Sequence, residues 1–162
     1  MPTAARRLDL PEFIVAPAAA CGMPPGYVVI EVTETALMAD PVKPLEVLTR
    51  LRLKGVMLSI DDFGTGYATM EMLKQVPFSE LKIDRGFVHG AHANAQSGAI
   101  LESSALLARK LGMTSVAAGV EEAADWNLIA ALGIDVMQGN RVARPMAAGD
   151  AFEFWRTRTS QP

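Results

Sequence analysis

One cadence constrains this chain more than anything else in its sequence: a polar-sided helix, a glycine, then a short apolar strand that ends in acidic or glycine-rich residues. Asp40-Pro41 reads as a helix start, because Asp caps free amides and Pro suits the first helical position. Val42, Leu45, Leu48 and Leu51 then share one helical face, Gly55 ends the run, and Val56 to Ile60 follows as a buried strand. The cadence returns with a helix over about Ala95 to Leu111, Gly112, and a strand around Ser115 to Ala117. It returns again with a helix over about Glu122 to Leu132, Gly133, and a strand over Ile134 to Met137. Two further strands read at Tyr27 to Thr33 and Glu80 to Asp84. Apolar strands alternating with helices of this length predict an α/β fold with a parallel sheet and helices outside it. An open doubly wound sheet and part of a barrel both satisfy the pattern. Neither a G-x-G-x-x-G nor a P-loop follows any strand, which removes support for the common nucleotide-binding motifs.

The 162 residues are expected to form a single domain over 1–162, a length short for a complete α/β barrel. Half of the residues are hydrophobic and the net charge is −3. That balance predicts a packed core and argues against a nucleic-acid partner. Cys21 is the only cysteine, so an internal disulfide is excluded and a reducing cytosol fits. The start, Met1 to Leu8, has no signal-peptide core, and the apolar stretch Phe13 to Met23 is too short to span a bilayer. A cytoplasmic location with no membrane contact is the expectation.

Acidic residues sit where strands end. In parallel α/β folds the loops at that edge converge on one site. Side-chain parity puts Val28, Ile30 and Val32 on one face of their strand, and Val29, Glu31 and Thr33 on the other. By the same rule Ser59 and Asp61 oppose Leu58 and Ile60, and Lys82 and Asp84 oppose Leu81 and Ile83. With the aliphatic face under helices, Glu31, Asp61 and Lys82 all project to the opposite side. Three carboxylates (Glu31, Asp61, Asp62) repel one another unless a cation is present, and hard divalent ions prefer oxygen ligands. A lysine beside them can balance charge or orient a phosphate or a water. Metal-assisted phosphate chemistry is one reading; ordinary strand-end polar residues are the other.

Glu31-Val-Thr-Glu34, Asp61-Asp-Phe-Gly-Thr-Gly-Tyr67, Leu81-Lys-Ile-Asp84, Ala118-Gly-Val-Glu121, Gln138-Gly and Arg144-Pro145 stand in an order that resembles the motifs of EAL domains. The likeness runs from about residue 4 to residue 146. It implies a (β/α)8-type TIM barrel that linearises cyclic di-GMP with two divalent cations, Mg²⁺ or Mn²⁺. By that resemblance Glu31 would be a ligand of the first metal, Asp61 would bridge both and Asp62 would bind the second. Lys82 would hold a water or phosphate near the metals, and Gln138 would support the second-metal side. Gln138 and Arg144 are the substrate-side candidates. Glu34 with the loop Phe63, Gly64, Thr65, Gly66 and Tyr67 would couple metal binding to dimerisation. Glu121 matches the last acid of the family's AEGVE motif.

Departures from the family pattern set the functional expectation. Ala118 stands where the resemblance puts the first Glu of AEGVE, a second-metal ligand and the proposed general base; a methyl group does neither job. The stretch Pro2 to Leu8 lacks the metal-binding Asn, and the Glu-Ala-Leu strand would lie upstream of Met1. The expectation is a partial barrel without its N-terminal strands, with little or no hydrolysis. It would act in cyclic di-GMP signalling as a regulatory or interaction module. An active metal-dependent cyclic di-GMP phosphodiesterase whose missing N-terminal part is supplied by another chain or lost by truncation is the alternative. Open strand edges would favour a homo-oligomer or a protein partner, or cost stability. The segment Leu10 to Ala20 is a candidate cover for the opening, with Pro11 and Pro17 limiting its helix. Of the remaining residues, His89 and His92 read as solvated loop positions and Met70 and Met72 as packing. Trp126 and Trp155 read as helix-face packing, Cys21 as no catalytic thiol, and Arg50, Arg52 and Lys54 as a solvated helix end.

Overall fold

The computed structural model describes residues 9–38, 42–65 and 70–159. Helix α1 (Leu10–Ala20) leads through a 3-10 turn at Pro25–Tyr27 into β1 (Val29–Thr33) and α2 (Glu34–Met38). Helix α3 (Val42–Leu53) is followed by β2 (Met57–Phe63), α4 (Met70–Gln75) and β3 (Glu80–Ile83). Then come α5 (Arg85–Val88), a 3-10 turn at Ala91–Ala93, α6 (Ala95–Leu111), β4 (Thr114–Ala118), α7 (Ala123–Ala131), β5 (Val136–Gln138) and α8 (Ala148–Thr159). The five strands form one parallel sheet in the order β1-β2-β3-β4-β5. Sequential parallel order with helical crossovers is the winding of a barrel, since a doubly wound sheet reverses its strand order at a switch point.

Parity divides the sheet as the alternation predicts. Ile30 pairs with Leu58, Val32 with Ile60, and Ile60 with Leu81. Leu58, Ile60, Leu81 and Ile83 are completely buried. Val47, Leu48 and Leu51 of α3, Leu101 and Ala108 of α6, and Ile129 of α7 join them in one hydrophobic cluster. Each large aliphatic side chain withdrawn from water contributes about 1.5–3 kcal/mol, so this outer face holds the layers together. The opposite face is open at both edges: Val29 on β1 is 45% exposed and Val136 on β5 is 43% exposed.

Helix α6 matches its expected limits because both ends carry stop signals. The Asn94 side chain accepts from the amides of Gln96 and Ser97, and Gly112 closes the helix at φ +69°. Other expectations need correction. Tyr27 belongs to the 3-10 turn, where two prolines upstream delay the strand until Val29. Ile134 and Asp135 precede β5, because the Asp135 carboxylate is held by the amide and hydroxyl of Ser115 at 2.8 and 2.6 Å. Pro17 sits inside α1 without ending it, and α1 packs beside α3 in the helical layer. The basic run is not merely solvated: Glu12 of α1 takes both Arg50 (2.9 Å) and Lys54 (3.3 Å). Trp126 packs on the core as expected, whereas Trp155 is 60% exposed with its ring centroid 6.3 Å from that of Phe152. The helix start at Asp40-Pro41 lies outside the described residues, and so do Gly66 and Tyr67.

Candidate functional site

Glu31, Asp61 and Lys82 lie near the C-terminal ends of β1, β2 and β3, on the face turned away from the helices. Lys82 is the keystone. Its Nζ donates to Glu31 Oε1 at 2.7 Å and lies 3.8 Å from Asp61 Oδ1, while its side chain is only 10% exposed. Burial alone would lower the ammonium pKa. The hydrogen bond to Glu31 and the charges of Asp61, Glu31 and Glu80 outweigh burial and raise it. The lysine therefore stays charged at neutral pH.

A regular strand would send Asp61 and Asp62 to opposite faces, yet both line the same cleft. The register between β2 and β3 slips between Ile60 and Phe63, and Asp62 takes φ +57°, a left-handed conformation that Asp tolerates better than most residues. Such a bulge re-aims a side chain next to a site. The carbonyl of Asp62 accepts from the amide and hydroxyl of Thr65, which holds the turn after the bulge. Partial burial and the neighbouring charges of Asp61 and Asp84 raise the pKa of the Asp62 carboxyl, against the opposing pull of Lys82. Crowded acids of this kind are relieved by a cation.

The cleft has a volume of about 210 Å³. Asp61, Asp62 and Lys82 meet there with Ala118 and Gly119 at the end of β4 and Gln138 at the end of β5. Asp84 and Arg85, at the start of α5, complete its wall. Parity singles out neither Arg85 nor Gly119 in the sequence; a Cβ on Gly119 would stand 2.6 Å from Arg85 Cβ, so the missing side chain is what lets α5 lie against this corner. Below the acids, Ser59 is fully buried on the same face and its hydroxyl has no partner among the described residues. A larger hollow of about 430 Å³ beside α6, lined by Phe63, Leu106, Leu107 and Lys110 among others, contains no acid among its described lining residues. Chemistry rather than size selects the smaller cleft.

The other candidate residues spread around this centre. Glu34 begins α2 immediately after β1. Phe63 ends β2 half-buried against the core, with Gly64 and Thr65 in the turn beyond it. Glu121 is exposed and accepts from Asn140 Nδ2 at 3.3 Å, and Arg144 is exposed in the segment after β5.

The chain matches the EAL domain model over residues 4–145. It belongs to the EAL family. Cyclic di-GMP phosphodiesterase RocR of Pseudomonas aeruginosa is 41% identical over 124 residues, covering 76% of this chain and 32% of that protein. The bifunctional diguanylate cyclase/cyclic di-GMP phosphodiesterase MucR of the same organism is 42% identical over 124 residues, 18% of its length. The chain thus spans about a third or less of these relatives. Among solved structures, the PaMucR phosphodiesterase in complex with cyclic di-GMP superimposes with a TM-score of 0.85 at 36% identity, over 91% of this chain and 60% of that one. Klebsiella pneumoniae BlrP1 in a calcium and cyclic di-GMP complex gives 0.82 at 33% identity, over 88% and 36%.

Oxygen donors from three carboxylates, one of them with its proton affinity raised by its neighbours, suit a hard divalent cation. Glu31, Asp61 and Asp62 would hold it, and it would supply charge neutralisation at a phosphate and acidification of a bound water. Ala118 contributes no donor to that set.

One expectation about the histidines is overturned. His92 is no freely solvated loop residue: its Nδ1 lies 2.8 Å from Oδ1 of the fully buried Asp125 on α7. The same carboxylate accepts from the amides of His92 (3.1 Å) and Gly90 (2.9 Å). His92, Asp125 and Glu122 bring ligand-type atoms within 4.8 Å of one another. Both oxygens of Asp125 are already committed to hydrogen bonds, so the cluster acts as a clamp between the turn and α7. Its sequence signal was the acid three residues past the helix cap Glu122, a position that favours anions.

Proposed function

We propose that this chain is a cyclic di-GMP-binding EAL module with impaired hydrolysis, acting in signalling as a regulatory or interaction element over a single domain. The observation that carries the reading is Ala118. It occupies the end of β4 beside Asp61, Asp62, Lys82 and Gln138, where the family resemblance places a carboxylate that binds metal and takes a proton. Loss of a general base costs about 10²–10⁴ in rate. Lys82 remains positioned to hold a phosphate oxygen or a water, and Gln138 to contact ligand from β5. The complexes of PaMucR and BlrP1 with cyclic di-GMP support that ligand class, and the calcium and manganese complexes of BlrP1 support a divalent ion.

The open edges favour a second reading: an active metal-dependent phosphodiesterase whose edge strands are joined by further strands. Val29 and Val136, exposed at the two edge strands, are the residues such strands would cover. Association with a second copy or a protein partner also suits the hollow beside Phe63 and the half-exposed Leu106.

The test is calorimetric titration with cyclic di-GMP in Mg²⁺ buffer, paired with chromatographic detection of the linear product. Saturable heat without product is expected, and Ala118→Glu should raise any residual turnover. Turnover by the unaltered chain at the rate of a competent phosphodiesterase would sink the proposal. A folded sample that gives no heat would refute ligand binding.

A further inference from the structure

The cleft holds two cations, and they are not equivalent. Lys82 is bound to Glu31 and faces Asp61. Arg85 is exposed, and among the described residues it has no carboxylate within ion-pair distance. Its neighbour Asp84 accepts from the amide of Gly86 through Oδ1 at 2.8 Å. The Arg85 stem is held in place from below. Gly119 lies under it with φ +78°, and a Cβ there would come within 2.6 Å of Arg85 Cβ and 3.5 Å of its Cα. The guanidinium therefore starts from a fixed root on the wall of the cleft that Ala118 also lines. A glutamate at position 118 would have supplied a carboxylate in the same cleft to compete for it. With alanine there, the planar donor fork stays available.

We propose that Arg85 is the phosphate-gripping, specificity-determining residue of this cleft, binding a phosphodiester of the nucleotide. The proposal rests on the reading that the cleft takes cyclic di-GMP. A guanidinium presents parallel N–H donors that match two phosphate oxygens, which neither lysine nor a neutral amide reproduces. Lys82 is already drawn to Glu31 and Asp61, so the arginine adds the charge that the cleft has to spare for a diester.

The experiment measures dissociation constants for cyclic di-GMP in Mg²⁺ buffer by calorimetry, on the unaltered chain, Arg85→Gln and Arg85→Lys. Inorganic pyrophosphate serves as a second probe and guanosine as a phosphate-free control. Losing charge-assisted hydrogen bonds worth about 1.5–3 kcal/mol predicts that Arg85→Gln weakens cyclic di-GMP by roughly 10–100-fold. Arg85→Lys should fall between the two, and guanosine should not respond to either change. Circular dichroism verifies that each variant is folded, and Arg85→Lys keeps the comparison open should Arg85→Gln not fold. An Arg85→Gln constant within twofold of the unaltered chain overturns the proposal. Pyrophosphate binding that depends on Arg85, with no cyclic di-GMP binding, upholds Arg85 and overturns the ligand assignment. Silence toward both anions overturns both.

Discussion

Asp125→Ala should cost this protein several kcal/mol of stability, because the buried carboxylate ties a turn to α7. The carboxylate is completely buried and takes three hydrogen bonds, from the Gly90 amide, the His92 amide and the His92 ring. Truncation leaves two partly buried backbone donors without their acceptor and unties the 3-10 turn from α7. Hydrogen bonds to a charged group are worth about 1.5–3 kcal/mol each, and they do not add simply. Two amides left without their acceptor cost about 1–3 kcal/mol each, and with the lost bond to the His92 ring we take about 3–5 kcal/mol as the magnitude. For a domain of this size that lowers Tm by about 6–20 °C. Asp125→Asn keeps the shape and one acceptor and should cost about 1–3 kcal/mol. The pH dependence follows from the carboxyl itself. Burial would raise its pKa, but the hydrogen bonds from His92 and Gly90 outweigh that and depress it below the usual carboxylate value. A depressed pKa means the contribution is complete above about pH 4, where the unfolded group ionises, and is lost as pH falls through the lower folded value. Urea titrations of the three proteins at pH 7 and near pH 3 measure both effects. If Asp125→Ala unfolds within 1 kcal/mol of the unaltered chain at pH 7, the clamp has been misjudged.

Other consequences can be checked with the same material. Lys82→Met should destabilise the chain at neutral pH by about 1–3 kcal/mol, because Glu31 and Asp61 lose their buried partner. Since the lysine pKa is raised, its stabilisation is present below about pH 10 and lost as pH climbs through the folded value; denaturation at pH 7 and pH 11 tests that sign. The Ser115 hydroxyl donates to Asp135 at 2.6 Å and the Asp135 amide donates back at 3.0 Å, a reciprocal link between β4 and the entry to β5. Ser115→Ala should cost about 1–3 kcal/mol and speed amide exchange in β5, seen by mass spectrometry; unchanged exchange would remove the link from the account. The Ser115 bonds depress the Asp135 carboxyl, so this stabilisation too fades as pH falls below the carboxylate range.

Much of the architecture was legible because it depends on local periodicity. The alternation that put Ile30, Leu58, Ile60, Leu81 and Ile83 on one face survives in a sheet where the last four are fully buried. The cap Asn94 and the stop Gly112 delimit α6 within the chain itself. Glu31, Asp61 and Lys82 were readable as neighbours because strand parity is a local rule, and strands of one sheet share their working edge. Asp62 was not readable in the same way. Parity alone sends it to the other face, and only the slipped register beside β3 turns it into the cleft.

What the sequence determined by itself is the set of chemical groups and the elements that carry them: a parallel α/β sheet, acids at strand ends, a lysine among them, and a methyl group at position 118. What the tertiary structure decided is which groups are already spoken for. Glu12 takes Arg50 and Lys54 from across the helical layer, Asp125 takes His92 from 33 residues away, and Lys82 is claimed by Glu31 while Arg85 has no ion-pair partner among the described residues. Periodicity is set by neighbours a few bonds apart, so a sequence carries it openly. Partnership is set by distance and burial across the packed interior, and these exist only once the chain has folded.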